Sequence, residues 1–408
     1  MNTIISIEPG TPMETQVRPG HNRWHPDIPP VASAGCGDRV RVECPDMFDW
    51  QIRNDDDASD IAELNMNRAH MVCGPIAVEG ASPGDLLVVD ILDVGPLPGQ
   101  AWGYTGIMRP EMGGLLADYF SEPRKAIWDF EGIYATSRHI PGVRFAGQVH
   151  PGILAVAPSH ELLDRWNSRE QALIQTDPDR VPELATAPDP DGAVLGSLAG
   201  AEFERVASEA ARTLPARENG GNCDIKNLSR GSRLYMPVFV EGANLSVGDI
   251  HFSLADGEAT VCGAIEMAGY LDFRVDVIPN GMDVYGTSNP FFVTGPINVE
   301  YTERIVFEGF SIEADGTQGF LDAHASYRQA CLEAIRYLSR FGYSAEQAYV
   351  ILSTAPIETR ISALGGKPNA VCTMAVPTGI FEGDIKPQSR SNWGTPANVD
   401  LASVVAAG

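Results

Sequence analysis

One segment of this chain occurs twice. Pro75-Ile76-Ala77-Val78-Glu79-Gly80-Ala81-Ser82-Pro83-Gly84-Asp85-Leu86 is echoed by Pro237-Val238-Phe239-Val240-Glu241-Gly242-Ala243-Asn244-Leu245-Ser246-Val247-Gly248-Asp249-Ile250, with two extra residues in the second copy. Each copy reads as a short strand, a turn at E-G-A, a second turn at G-D, and another strand. A common turn signature falling twice by chance is the competing account. Seven or eight matched positions favour a duplicated β-unit instead. The duplication predicts two related β-subdomains and argues against a doubly wound parallel sheet.

Helical signals are few. Leu162 to Ile174 has helical periodicity and leads into a Pro-rich stretch, Asp177–Asp191, expected to be an excursion loop. Ala201–Leu214 reads as a helix stopped by Pro215. The clearest helix is Leu321–Phe341, in which Tyr327, Cys331, Ala334, Ile335, Leu338 and Phe341 recur at helical spacing before Gly342. Ser344-Ala345-Glu346-Gln347 then forms a capping box that starts another helix. The 41 glycines and 30 prolines are spread along the chain and fit many turns. The expected class is therefore α+β and β-rich, two β-subdomains with a C-terminal helical hairpin. At about 150 residues per domain, 408 residues suit two or three units. The expected divisions are an N-terminal β-subdomain at 1–155, a helical and Pro-rich excursion at 156–215, a second β-subdomain carrying the site at 216–310, and the hairpin with its tail at 311–408.

Charge narrows the function classes. Lys and Arg total 29 against 54 for Asp and Glu, a formal charge of −25. Such a surface repels phosphate backbones and anionic lipids, so neither nucleic acid nor membrane is an expected partner. No apolar run approaches the roughly 20 residues that span a bilayer. Met1 to Gln16 lacks the basic and apolar regions of a signal peptide. The seven cysteines form no C-x-x-C pair, which predicts free thiols and a cytoplasmic location.

No G-x-S-x-G elbow, H-E-x-x-H helix, P-loop or G-x-G-x-x-G loop is present. Polar residues of catalytic type concentrate instead between Gly220 and Glu266. The loop Gly220-Gly221-Asn222-Cys223-Asp224-Ile225-Lys226 carries a carboxylate and an ammonium two residues apart. Strand alternation over Gly248–Ser253 places Asp249, His251 and Ser253 on one face. Asp256-Gly257 predicts a tight hairpin, with Glu258, Thr260, Cys262, Ala264 and Glu266 on one face of the return strand. Across a two-residue turn, His251 would face Cys262 and Asp249 would face Ala264. His251 and Glu266 would then stand roughly 14 Å apart, too far for one ion unless a bulge bends the ladder. A buried face with a His, carboxylates and a thiol requires pairing or a cation. Each residue also has a plainer role: a turn for its own sake at Asp256, a hydrogen-bonded core histidine at His251, a strand end at His150. A Cys262–His251 nucleophile pair ranks below the metal site, because free cysteines are commonly core residues.

Asn22-Arg23-Trp24-His25-Pro26-Asp27-Ile28-Pro29, Ser137-Arg138-His139-Ile140-Pro141-Gly142-Val143, His150-Pro151-Gly152, Gly220–Lys226, Gly248–Ser253 and Cys262-Gly263-Ala264-Ile265-Glu266-Met267-Ala268-Gly269 together resemble the acetamidase/formamidase family. Tyr327-Arg328-Gln329-Ala330-Cys331 and the long C-terminal region resemble its formamidase branch. The resemblance runs in order over nearly the whole chain. It implies a cytosolic, β-rich, self-associating hydrolase that converts a short linear amide, of formamide or acetamide type, into ammonia and a carboxylate. Two departures stand out. Glu43-Cys44 is followed by Pro45-Asp46-Met47-Phe48-Asp49-Trp50 where D-W-T-G-G is usual. Leu254-Ala255-Asp256-Gly257-Glu258 stands where Q-G-D-G-E is usual. Both are expected to reshape pocket walls.

An amide is a poor electrophile, and no Ser–His or Ser–Lys signature is visible, so metal-activated water is the economical mechanism. The expected ligands of a divalent metal, zinc by its donor preference, are Asp224, His251 and Glu266. Asp46 is a further acidic contributor, Lys226 polarises the carbonyl or holds Asp224 ionised, and His150 carries a proton to the leaving ammonia. The alternative from another class is a catalytically silent binding or sensor protein of the same fold. Small amides and copies of the chain itself are the expected partners.

Overall fold

The computed structural model describes residues 1–176 and 187–388. Residues 177–186 of the expected Pro-rich excursion, and the last 20 residues of the tail, lie outside the described residues. The strands that position the site are β1 (Val72–Val78), β2 (Leu86–Pro96), β3 (Trp102–Ile107), β4 (His150–Ala155), β5 (Arg233–Pro237), β6 (Leu245–His251), β7 (Cys262–Met267) and β8 (Gly269–Ile278). The longer helices are α1 (His160–Thr176), α2 (Gly200–Glu209), α3 (Ala323–Leu338) and α4 (Ala345–Thr354). Strands dominate, and the class is α+β.

Both copies of the repeat are strand–turn–strand about the E-G-A turn, and they interlock; the second turn expected at G-D is made by Gly84-Asp85 ahead of β2, whereas Gly248-Asp249 lies inside β6 and makes no turn. β1 and β6 pair antiparallel in a nine-stranded sheet, with Leu245 opposite Ile76 and Gly248 opposite Val72. β2 and β5 pair antiparallel in a six-stranded sheet, from Arg233 opposite Asp90 to Pro237 opposite Leu86. Each copy therefore gives one strand to each sheet. The turns bind each other reciprocally: Val78 N–H donates to Gly242 O and Gly242 N–H to Ala81 O, both at 2.8 Å. Gly84 N–H donates to Val238 O and Val238 N–H to Asp85 O, both at 3.0 Å. One buried cluster takes Ile76, Val89, Leu234, Val247 and Phe273 from both sheets and Leu338, Ile351 and Leu352 from the helical hairpin. Each such side chain, fully buried, contributes roughly 1.5–3 kcal/mol.

The predicted helices hold with one adjustment. Asp322 caps α3 by accepting from Ala325 N–H at 3.0 Å, and Gly342 ends the following 3₁₀ turn with φ of 94°. The capping box at Ser344 and Gln347 is formed in both directions. The helix expected to run from Ala201 to Leu214 stops at Glu209, because Ala211-Arg212 leave it to pair with Arg23-Trp24. Pro215 is not the stop signal. No helix among the described residues is long and apolar enough to cross a membrane.

The tight Asp256-Gly257 hairpin is the main correction. β6 and β7 pair with His251 opposite Glu266 and Ile250 opposite Met267, a shift of four residues from the expected register. Residues 252–261 form a long loop instead of a two-residue connection. The C-terminal hairpin explains why. Ser253 Oγ donates to Thr354 O (2.7 Å), Ala255 N–H to Ser353 O (2.8 Å), and Asp256 N–H to Ile357 O (3.1 Å). Ser353 Oγ accepts from Thr260 N–H at 3.1 Å. The backbone groups that a tight ladder would have paired are satisfied by a segment about 100 residues further on, with Ser253 and Thr354 101 positions apart.

Candidate active site

β4, β6 and β7 are buried along their whole lengths, so any charged group on them faces a desolvation penalty. The register sets three such groups in one row, His150 opposite His251 and His251 opposite Glu266. Neighbouring strands lie about 4.8 Å apart, so the row is compact and the expected separation of His251 and Glu266 disappears. Asp249 joins them by a local distortion. Its φ is 56°, a left-handed conformation that Asp tolerates better than most residues. At this point β6 changes its neighbour on one side from β1 to β7. Asp224 comes from the 220–226 loop, which crosses over β4 by donating Cys223 N–H to Gly152 O at 3.1 Å.

The distances define one centre. His251 Nε2 lies 3.1 Å from Asp249 Oδ1, 3.1 Å from Glu266 Oε2 and 4.0 Å from Asp224 Oδ1. Those four atoms are buried and have no hydrogen-bond partner. The ligand atoms of Asp224, Asp249 and His251 all fall within 4.8 Å of one another. Gly152 completes the cradle. A Cβ there would stand 2.6 Å from both Asp224 Oδ1 and His251 Cε1, and would press on Asp249 Oδ2. Side-chain exposure is 11% for Asp224 and 2% or less for the other three, so Asp224 marks the open side.

The electrostatics of the centre favour a positive charge among its carboxyl groups. Burial pushes the Asp224 carboxyl up to about 7 and that of Glu266 up to about 8, in each case opposed by His251. Glu258, on the long loop, is raised well above the usual range by burial and by the neighbouring Asp224. Burial opposes charge on His251, but Glu266 and Asp249 outweigh it and hold the imidazole well above its ordinary value. Burial likewise opposes charge on Asp249, and there His251 and His70 win and hold it low. Four carboxylates thus surround one imidazole in a buried space. Mixed nitrogen and oxygen donors with no other partner suit a divalent cation.

The expected site residues divide. Asp224, His251, Glu266 and His150 come together. His150 Nδ1 lies 2.7 Å from Gln148 O, and its Nε2 lies 3.2 Å from His251 Nδ1. With Nδ1–H donated to that carbonyl, His150 Nε2 accepts from His251 Nδ1–H, which turns His251 Nε2 toward the carboxylates, where a bound cation would take the place of its proton. Both His150 nitrogens are committed, and burial with the nearby His251 lowers its pKa to about 3. That geometry orients His251 and leaves His150 no free nitrogen for a leaving group. Lys226 is engaged elsewhere, donating to Ile357 O at 2.6 Å and pairing with Asp256 Oδ1 at 2.8 Å. Asp46 and Glu266 both line a narrow cleft, with room for about one water at about 10 Å³, that Trp50, Gln100, Trp102 and Tyr104 also line. The Asp46 oxygens accept from Phe48 N–H, Trp50 N–H and Tyr104 O–H at 3.0, 2.9 and 2.6 Å, which holds the 46–50 turn. Met47 and Phe48, expected to reshape the pocket, pack in a core cluster with Ile61 and Ile127; Trp50 does line the cleft. Cys262 does not face His251, and burial with Glu266 pushes its thiol well up, away from a nucleophilic thiolate.

Sequence reasoning missed Asp249, Glu258 and Gly152. Alternation had already put Asp249 on the face of His251, so that signal was legible. Glu258 enters through the long loop and not through the return strand on which alternation had set it beside Glu266.

Fold and site define a β-rich α+β enzyme scaffold with a buried, cation-competent His–carboxylate centre. The chain belongs to the acetamidase/formamidase family, whose model matches residues 6–383. It is 52% identical over 390 residues to a protein of Methylophilus methylotrophus named formamidase, covering 95% of this chain and 96% of that one. It is 52% identical over 365 residues to a protein of Mycolicibacterium smegmatis named acetamidase, covering 87% and 90%. Among solved structures, the gamma lactamase from Delftia acidovorans is similar at a TM-score of 0.93 and 47% identity, over 95% of each chain. The chain is accordingly a hydrolase of amide C–N bonds.

Proposed function

We propose that this protein hydrolyses a short linear amide of formamide or acetamide type to ammonia and the carboxylate, using a divalent cation, zinc by its donor set, held by Asp224, Asp249, His251 and Glu266. The observation that carries the reading is the convergence of four buried, unpartnered ligand atoms beneath Gly152. Bound there, zinc supplies a Lewis acid that polarises a carbonyl and acidifies water. The chain's own groups do the rest. His150 fixes the tautomer and orientation of His251, and Asp224 holds the solvent-facing side of the centre. Trp50, Trp102 and Tyr104 bound a narrow cleft beside Glu266, which favours small acyl groups. Lys226 lends positive charge close to the His150 ring, while Asp46 keeps the cleft wall in shape. The names of the relatives support formamide and acetamide as the substrate class. Free cysteines throughout support a cytoplasmic location. Exposed Phe291, Val293, Val306, Phe310 and Ile361 support self-association.

Ammonia release from formamide, acetamide and propionamide, measured with and without a chelator beside elemental analysis, tests the reading. Activity on at least one amide that falls with chelation and returns with zinc is expected. A protein that binds amides without turnover is the outcome that overturns it.

A further inference from the structure

The row of side chains at the centre runs one strand further than its ligands. Tyr104 of β3 stands opposite Glu266 of β7, so its side chain shares the face that carries His150, His251 and Glu266. Its O–H donates to Asp46 Oδ1 at 2.6 Å, and Asp46 Oδ2 accepts from Trp50 N–H at 2.9 Å. Trp50 and Asp49 hold φ of 68° and 58°, left-handed backbone that is ordinarily left to glycine. Two buried carboxylates keep the turn in that shape. One is Asp46; the other is Asp49, which accepts from Met13 N–H at 2.9 Å and pairs with Arg68 at 2.7 Å. The strained turn sets Trp50 in the wall of the cleft that Glu266 and Tyr104 also line. Around that cleft the neighbouring polar groups are engaged. Trp102 Nε1–H donates to Gln100 Oε1 at 2.9 Å, both Asp46 oxygens accept, and Glu266 Oε2 faces His251 Nε2. Trp50 Nε1–H is buried with no acceptor, the one donor of this lining so placed among the described residues. A buried N–H left unpaired is costly, and here it faces a space that a ligand can enter.

Resting on the amidase reading above, we propose that Trp50 is a substrate-binding residue whose indole N–H donates to the carbonyl oxygen of the amide. An indole N–H is a donor only, so the group it meets must be an acceptor. A small primary amide has one such atom. Its nitrogen lone pair is delocalised into the carbonyl, and its own N–H groups are donors. The room in the cleft, about that of one water, matches a single oxygen atom. As water adds to the carbonyl carbon, the C–O π pair moves onto this oxygen, and the hydrogen bond strengthens with the negative charge. A donor fixed beforehand by a strained, carboxylate-held turn needs no reorganisation at that moment. Formamide and acetamide share the atom that is held, so the contact serves both alike.

The experiment compares the full-length wild type with Trp50→Phe, which keeps an aromatic ring and removes the N–H. Trp50→Gly, suited to the left-handed backbone, takes its place should the first variant not fold. Ammonia release from formamide, acetamide and propionamide is measured beside metal content and melting temperature. The indole N–H resonances of ¹⁵N-labelled protein are followed by NMR as formate is added. The expected result is a fall in kcat of about 10²-fold on formamide and acetamide alike, the range for loss of one oxyanion donor, with metal content unchanged. Formate is expected to shift one indole resonance, which the Trp50 variant lacks. An undiminished rate on formamide overturns the proposal, and a gain on propionamide beside it makes Trp50 a wall of the cleft and nothing more. A fall that comes with lost metal or a lost fold in both variants makes the residue structural and overturns it as well. So does a Trp50 resonance that formate leaves in place. Wild type that turns over no amide removes the reading beneath, an outcome distinct from all of these.

Discussion

Gly152 lies where no side chain fits. Its backbone passes against Asp224, Asp249 and His251, so the glycine of the His-Pro-Gly turn reflects close approach to a ligand cradle. Gly152→Ala is expected to lose bound metal and at least about 10²-fold in kcat/KM, with a stability loss of about 1–3 kcal/mol from overpacking, read by elemental analysis and thermal melts. A variant that keeps full metal content would show the cradle to be looser than its distances. Another histidine, His21, sets a pH limit on stability. It is buried between Arg23 O (2.8 Å) and Ser246 Oγ (2.7 Å), and burial lowers its pKa to about 4, opposed by the Arg23 carbonyl. The unfolded chain takes up this proton near pH 6.5 and the folded chain only near 4. Stability from neutral His21 is therefore complete above about pH 6.5 and declines as pH falls toward 4, by roughly 3 kcal/mol in all. Denaturant unfolding of His21→Gln across that window should show a flatter pH slope than wild type. Neither role is readable from the neighbours of these residues in the sequence.

The long 252–261 loop shows how one element is shaped by another. An Asp-Gly pair ordinarily closes a hairpin, and here it does make a turn, but within a loop tied to α4 and the segment after it. Asp256 pairs with Lys226 and accepts from Thr359 N–H at 3.1 Å, so its polar groups leave the β6–β7 ladder for partners elsewhere. Ser353 is the central tie. Ser353→Ala strips the partner from the buried Thr260 N–H, which costs about 1–3 kcal/mol. Because the loop carries Glu258 against the centre, kcat should fall as well, by more than Ser344→Ala causes. That cap variant costs about 1 kcal/mol of stability and should leave kcat as it was. Equal kinetics for the two variants would sever loop from site.

For the whole molecule, the interlocked repeat has a mechanical consequence. β1 and β2 find their partners in β6 and β5, more than 140 residues away, as Arg233 and Asp90 are 143 positions apart. The chain 1–155 expressed alone keeps the first copy but leaves both of its strands with an open edge, a template for aggregation. It is expected to lack cooperative unfolding by circular dichroism. Co-expression with residues 156–408 should restore a folded complex if the pairing is as strong as two antiparallel ladders suggest. A soluble, cooperatively folded 1–155 fragment would mean that the subdomain is self-sufficient.

Strand–turn–strand units, the capped helices of the C-terminal hairpin and the β-rich class were all legible in the sequence, because each depends on contacts within a few residues. Asp224, His251 and Glu266 were singled out as candidates through residue type and through family resemblance, and the fold brings the three together. The row formed by His150, His251 and Glu266 was not legible, since a four-residue change of register moves every cross-strand neighbour. That register was decided by Ser353, Thr354 and Ile357, which satisfy the loop's backbone groups from outside the hairpin. Local chemistry selects turns and caps. Only the tertiary pairing of strands, with every buried polar group seeking a partner, decides which charges share one dry space.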